Sequence, residues 1–148
     1  MKNKIFYIPS LLFLFLCFAC EQGPAAKLIQ NAKYGNIDAV EAALDSGVSP
    51  NVQNRAGRTA LMEAASVGQV DIVKMLLSKG ADANVRDKQG NTALMLAAIT
   101  GQTDIAQLLL SKHADLNAIN KKGETALSLA RAKRQNEMVQ MLTMAGAK

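Results

Sequence analysis

Between residues 25 and 147 the apolar side chains fall into short groups separated by polar turns, and the groups keep register. Leu61, Ala64 and Ala65 stand at i, i+3 and i+4, which places them on one face of a helix. Past Gly68, a second stripe follows in Ile72, Val73, Leu76 and Leu77. The pattern predicts two short antiparallel helices. Thr59 is positioned to cap the first with its hydroxyl, and Asp71 sits in the first turn of the second, where a carboxylate suits the helix dipole. Gly68 breaks the first helix, and Gly80 supplies the left-handed residue that ends the second.

This unit recurs with a period of 33 residues. Gly57, Gly90 and Gly123 are one series; Thr59, Thr92 and Thr125 another; Leu61, Leu94 and Leu127, and Ala64, Ala97 and Ala130, follow in step. So do Gly35, Gly68 and Gly101, the Asn51, Asn84 and Asn117 set, and the acidic ladder Asp38, Asp71, Asp104 and Glu137. One helix pair cannot bury its apolar side alone, so neighbours must stack into a solenoid. The ends read as caps: Asn31 replaces the alanine of later repeats, and Thr143 replaces the leucine of the Leu44, Leu77 and Leu110 series. Arg134 occupies the Gly68/Gly101 place. A left-handed backbone there costs an L-residue about 1 kcal/mol, so that turn is expected to differ. His113 takes the place of Gly47, Gly80 and Gly146, where histidine tolerates left-handed geometry.

The runs Gly57-Arg58-Thr59-Ala60-Leu61-Met62-Glu63-Ala64-Ala65 and Gly90-Asn91-Thr92-Ala93-Leu94-Met95-Leu96-Ala97-Ala98, with Gly123-Glu124-Thr125-Ala126-Leu127 after them, resemble the ankyrin repeat family. The resemblance implies an all-α solenoid of about four helix-turn-helix repeats joined by β-hairpin-like turns, over 25–53, 54–86, 87–119 and 120–148. The family's Thr-Pro-Leu-His becomes Thr-Ala-Leu-Met or Thr-Ala-Leu-Ser here. That loses a proline suited to the first helical position and a histidine that usually bonds between repeats, so somewhat softer repeats are expected.

The first nineteen residues differ in kind. Lys2 and Lys4 precede an apolar run, Ile5 to Ala19, that is shorter than the roughly 20 residues a membrane-crossing helix needs. A basic start, a short apolar centre and a small residue before a break have the form of a secretory signal peptide. Ala19-Cys20 resembles the end of a bacterial lipoprotein signal, although Cys17 and Phe18 depart from the usual residues there. The expected organisation is a signal peptide over 1–19, a tether over 20–24 and a repeat domain over 25–148. Cys20 is the expected lipidation site, anchoring the chain to a bacterial envelope membrane and facing the periplasm. Cleavage without lipidation, giving a soluble periplasmic or secreted protein, is the alternative.

Composition sharpens this. The chain is 49% hydrophobic and only 4% aromatic, and beyond Cys20 the sole aromatic side chain is Tyr34. Net charge is +5, falling to +3 once Lys2 and Lys4 are set aside. A mildly basic domain with no interleaved aromatics is a poor nucleic-acid binder. Cys17 and Cys20 are the only cysteines, so the repeat domain has no internal disulfide and no thiolate cluster. His113 is the single histidine, too few for a zinc site and sited at a helix end. The carboxylates are spread at repeat period and do not converge, so an envelope hydrolase is disfavoured; neither a metal nor a cofactor is expected.

In ankyrin proteins partner contacts come mainly from the turn tips and the adjoining faces of the first helices. By register, these are Gln53, Arg55, Ala56 and Arg58; Arg86, Lys88, Gln89 and Asn91; and Ile119, Lys121, Lys122 and Glu124. Ser66, Val67, Ile99 and Thr100 end the first helices on the same side, and Met62 and Met95 are candidates for an adaptable groove surface. Arg55, Arg58, Arg86, Lys88, Lys121 and Lys122 would form a basic ridge that either keeps the solenoid soluble or steers an acidic protein patch toward it. The function implied is a monomeric, non-catalytic protein-binding module; a membrane-surface spacer is the remaining alternative.

Overall fold

The computed structural model describes residues 23–148. The signal peptide and the Cys20 lipidation site lie outside them, as do residues 20–22 of the tether. The described residues form eight helices: α1 Pro24–Tyr34, α2 Ile37–Asp45, α3 Ala60–Val67, α4 Val70–Ser78, α5 Ala93–Thr100, α6 Thr103–Ser111, α7 Ala126–Ala132 and α8 Asn136–Met144. The helix pairs define the repeats. Inner helices α1, α3, α5 and α7 stack in one layer, and each outer helix packs on the inner helix of its own pair. The all-α solenoid expected from the repeat period is what forms. Its first helix opens at Pro24, one residue ahead of the expected domain start, with proline at a position where its missing N–H costs nothing.

The core lies between the layers. Leu61, Leu94 and Leu127 are buried, and Ala64, Ala97 and Ala130 are fully so. Small side chains at these places let the inner helices approach closely, and a larger residue would have to push them apart. Thr59, Thr92 and Thr125 cap their helices as expected, each hydroxyl accepting from the backbone N–H three residues on at 3.2, 3.4 and 3.2 Å. Asp38, Asp71, Asp104 and Glu137 all occupy the first turn of an outer helix.

Inner helices end in left-handed backbone at Gly35, Gly68 and Gly101, and at Arg134 with φ 58°. The left-handed backbone is kept at Arg134, but the turn does differ as expected. Helix α7 stops one residue early, at Ala132, and Arg134 N–H donates to the Arg131 carbonyl three back at 3.0 Å, where Gly35, Gly68 and Gly101 each donate four back. The next residue donates to the carbonyl five back in every repeat: Asn36 to Asn31, Gln69 to Ala64, Gln102 to Ala97 and Gln135 to Ala130, all at 3.0 Å. A bond repeated four times, on packing that fixes both helices, outweighs a strain of about 1 kcal/mol. His113 adopts the left-handed geometry foreseen for it, with φ 61°.

No strand is present among the described residues, yet the turns reverse as hairpins do. Asn54 N–H donates to the Arg58 carbonyl, Asp87 to Asn91 and Asn120 to Glu124, at 3.0, 2.9 and 3.0 Å. The side chain of the same residue holds the reversal. Oδ1 of Asn54 accepts from the N–H groups of Ala56 and Arg58, Oδ1 of Asp87 from Gln89 and Asn91, and Oδ1 of Asn120 from Lys122 and Glu124. Successive tips are then stitched together by backbone bonds from Lys88 to Ala56 at 3.0 Å and from Lys121 to Gln89 at 2.9 Å.

A second line of stitches runs along the outer edge. The Asn51 and Asn84 side chains each accept from the next repeat (Asp82 N–H at 2.8 Å, Asp115 N–H at 2.7 Å) and donate to its Gly80 or His113 carbonyl. Asn117 accepts from Lys148 N–H at 3.0 Å in the same way. The asparagine series at period 33 is thus an inter-repeat staple.

Candidate partner-binding surface

The tips and the ends of the inner helices share one side of the solenoid, and the structure sorts the expected contact residues into three groups. Met62 and Met95 do not belong to the surface at all. Each is 1% exposed, and both are part of the core that the inner helices enclose. Contrary to the expectation, these methionines form no groove surface. Three residues past the capping threonine a side chain points into the stack, where an unbranched thioether fills the space.

The second group has its polar atoms engaged within the fold. Arg58 turns back so that Nε lies 3.1 Å from Oε1 of buried Glu63, an ion pair without an aligned hydrogen bond. Arg86 Nη1 donates to the Ile119 carbonyl of the next repeat at 3.1 Å, and Gln53 Nε2 does the same to the Arg86 carbonyl at 3.0 Å. Ser66 donates to the Glu63 carbonyl of its own helix at 2.8 Å. Arg55 is exposed at the first tip. The basic ridge is therefore not uniform: Arg58 and Arg86 serve partly as structure, and only the guanidinium donors they have left face water.

The third group converges. Lys88 and Asn91 from the second tip, Lys121, Lys122 and Glu124 from the third, and Ile99 at the end of α5 line one cleft of about 450 Å³. Gln89, Asn120, Leu129 and Lys133 complete its wall. That volume lies within the range of small-ligand sites. Asn120 organises the wall: Nδ2 donates to Asn91 Oδ1 and to Glu124 Oε2, both at 2.9 Å, while its Oδ1 holds the tip. Asn91 gives its own amide N–H to Asp87 Oδ2 at 3.3 Å, so both ends of that amide are spent inside the fold. The amines of Lys88, Lys121 and Lys122 are on exposed residues.

Asn120, Leu129 and Lys133 are cleft residues that the family register does not point to. The signal for Asn120 was the series Asn54, Asp87 and Asn120, which keeps the same 33-residue step as the glycines. Leu129 follows Leu96 at that step too; it is a core residue, 8% exposed, that also lines the cleft.

Elsewhere the inner face is different in charge. A cavity of about 460 Å³ by the first tip is lined by Ala25, Ala26, Ile29, Gln53, Asn54, Ala56, Gly23 and the single cation Arg55. A neighbouring one, about 340 Å³, sets Lys33 against Glu63 beside Gln30 and Tyr34. Among the described residues there is no cluster of three or more His, Cys, Asp or Glu suited to a metal ion, and no helix long and apolar enough to cross a membrane.

Stacked helix pairs with stitched tips define an α-solenoid repeat protein. A family model for ankyrin repeats in three copies matches residues 28–120 and again 83–148, and the chain belongs to the ankyrin repeat family. Ankyrin repeats are generally protein–protein interaction modules, typically without enzymatic activity. Comparison with curated proteins gives no match.

Proposed function

We propose that this protein is a non-catalytic binding module that is exported and anchored to a bacterial envelope membrane through a lipidated Cys20. On this reading it binds, inhibits or protects an envelope protein. The observation that carries the binding reading is the stitched row of tips. Backbone bonds between tips and the asparagine staples hold the surface in one shape, so a partner pays little ordering cost on docking. The partner is a protein with an acidic patch, met by a monomer of this chain. Export and anchoring rest on the two N-terminal lysines, the short apolar run and the cysteine that follows it. Two acyl chains, at about 0.8 kcal/mol per buried methylene, suffice for stable attachment.

The test is crosslinking in whole cells followed by capture on the full chain and on a Lys88→Glu/Lys121→Glu variant. One stoichiometric envelope protein, lost from the variant while its helicity and unfolding midpoint hold, is expected. A spacer would crosslink to nothing in stoichiometric amount. For the anchor, the mass of the mature N-terminal peptide decides: a diacylglyceryl Cys20 is expected, and an unmodified cysteine removes the anchor from the proposal.

A further inference from the structure

Charge and apolarity are unevenly distributed along the inner face, and the imbalance peaks in one place. The cleft between the second and third tips carries four lysines (Lys88, Lys121, Lys122 and Lys133) and one carboxylate, Glu124. That carboxylate already accepts from Asn120 and is held against the wall. Behind the amines lies an aliphatic floor: Ile99, half-buried at the end of α5, and Leu129, buried midway along α7. By register, the floor replaces polar groups nearer the chain start: Gln30 and Glu63 precede Leu96 and Leu129, and Lys33 and Ser66 precede Ile99. An apolar floor in a cleft that four lysines also line is complementary to an aliphatic side chain flanked by carboxylates.

We propose that this cleft binds an extended acidic segment of the partner protein, seating one aliphatic side chain against Ile99 and Leu129 and placing carboxylates beside Lys88, Lys121, Lys122 and Lys133. The assignment rests on the protein-binding reading above and names the chemistry of its partner. Two features separate a peptide from other anions. Leu129 is buried and Ile99 half-buried while the four lysines are exposed, so a flat headgroup surface would meet the amines and leave the floor unused. No aromatic side chain lines the cleft to stack a base, and a phosphodiester chain brings no aliphatic group to the floor. The amines steer the segment in, and the floor selects it.

The experiment measures binding of fluorescein-labelled Glu-Asp-Glu-Leu-Asp-Glu-Asp to the full chain, by anisotropy, at two salt concentrations. The companion probes are the same peptide with serine for leucine, its Gln/Asn counterpart, oligothymidine of equal charge, and phosphatidylglycerol vesicles. The leucine peptide is expected to bind best, to weaken as salt rises, and to lose about tenfold in affinity with Lys121→Glu/Lys122→Glu. Lys112→Glu, an exposed lysine beyond the cleft at the end of α6, should leave binding unchanged. Ile99→Ala should weaken the leucine peptide but not the serine peptide, and that coupling is what a mere surface charge would fail to show. The milder Lys121→Gln/Lys122→Gln pair checks that loss of binding is not loss of fold. Equal binding of every anion, or no leucine dependence, overturns the proposal. If the peptide fails while the crosslinked envelope partner is still captured, this assignment falls and the protein-binding reading stands; if both fail, both fall.

Discussion

The glycine at each tip allows the cost of strain to be separated from the cost of undoing a stitch. Gly57, Gly90 and Gly123 share one backbone conformation, with φ 77°, 81° and 76°. A Cβ at Gly123 would meet nothing within 4 Å, whereas at Gly90 it would lie 3.1 Å from Lys121 N and at Gly57 2.9 Å from Lys88 N. Gly123→Ala thus pays left-handed strain of about 1–2 kcal/mol, less about 0.4–1 kcal/mol from the stiffened unfolded chain, for a net near 1 kcal/mol. Gly57→Ala carries that same term and more. Its neighbour is backbone that cannot swing aside, so the tips must part, and with them the Lys88–Ala56 bond and the Gln53 bridge to the Arg86 carbonyl. At about 1 kcal/mol each, the lost bonds bring the total to about 3 kcal/mol. Urea unfolding followed by circular dichroism should rank the three variants Gly57→Ala worst, then Gly90→Ala, then Gly123→Ala. Equal losses at Gly57 and Gly123 would refute the claim that the tips are coupled.

Other outcomes follow from the same structure. Arg134→Gly should stabilise by under about 1 kcal/mol, because relief of left-handed strain is partly offset by a freer unfolded chain; a higher urea midpoint is the readout. Met62→Ala should cost about 2–5 kcal/mol and Met62→Leu under about 1.5 kcal/mol, with peptide affinity unchanged in whatever fraction stays folded. A direct effect of Met62→Leu on binding would place that side chain back on the surface. Asn84→Ala removes two inter-repeat bonds at an exposed site where water competes, so a loss of about 1–2 kcal/mol is expected on urea unfolding. The Lys79–Asp45 pair, at 2.7 Å, joins neighbouring outer helices; its hydrogen bond and then the charge of Asp45 raise the Lys79 pKa above its ordinary value. Its contribution is complete below the ordinary lysine range and lost as pH climbs through the raised value. Asp45→Asn should therefore narrow the alkaline fall in stability, and salt should weaken the effect.

The architecture could be read from the chain because each repeat states it again. A capping threonine or a corner glycine is weak evidence once and strong evidence at a constant step, and the structure puts Thr59, Thr92 and Thr125 to the same use. What could not be read were the choices settled by stacking. Arg134 looks unfit for a left-handed turn when its own propensity is weighed, but its backbone is held by neighbours that the propensity does not see. Met62 looks equally at home on a groove or in a core. Its place is decided by the stack: α3 packs against inner helices of the neighbouring repeats, and Met62 lies in the core they share.

Stacking also confines the candidate site to one part of the ridge. A basic residue counts toward recognition only if its charge is not already spent, and in this fold the spending follows register. Position 58 is the ion-pair partner of Glu63, but the residues one and two repeats later are Asn91 and Glu124, which Asn120 ties to each other. Position 86 reaches across to the next repeat, while Ile119 in that register has no polar atom to send. Lys88 and Lys121 differ from both: their backbone N–H groups make the stitches, and their amines take no part in them. The fold thus uses the main chain of these residues for rigidity and leaves the side chains to the partner. That division allows Lys121 and Lys122 to change charge without loosening the tips, and it makes recognition and stability separable by mutation in this solenoid.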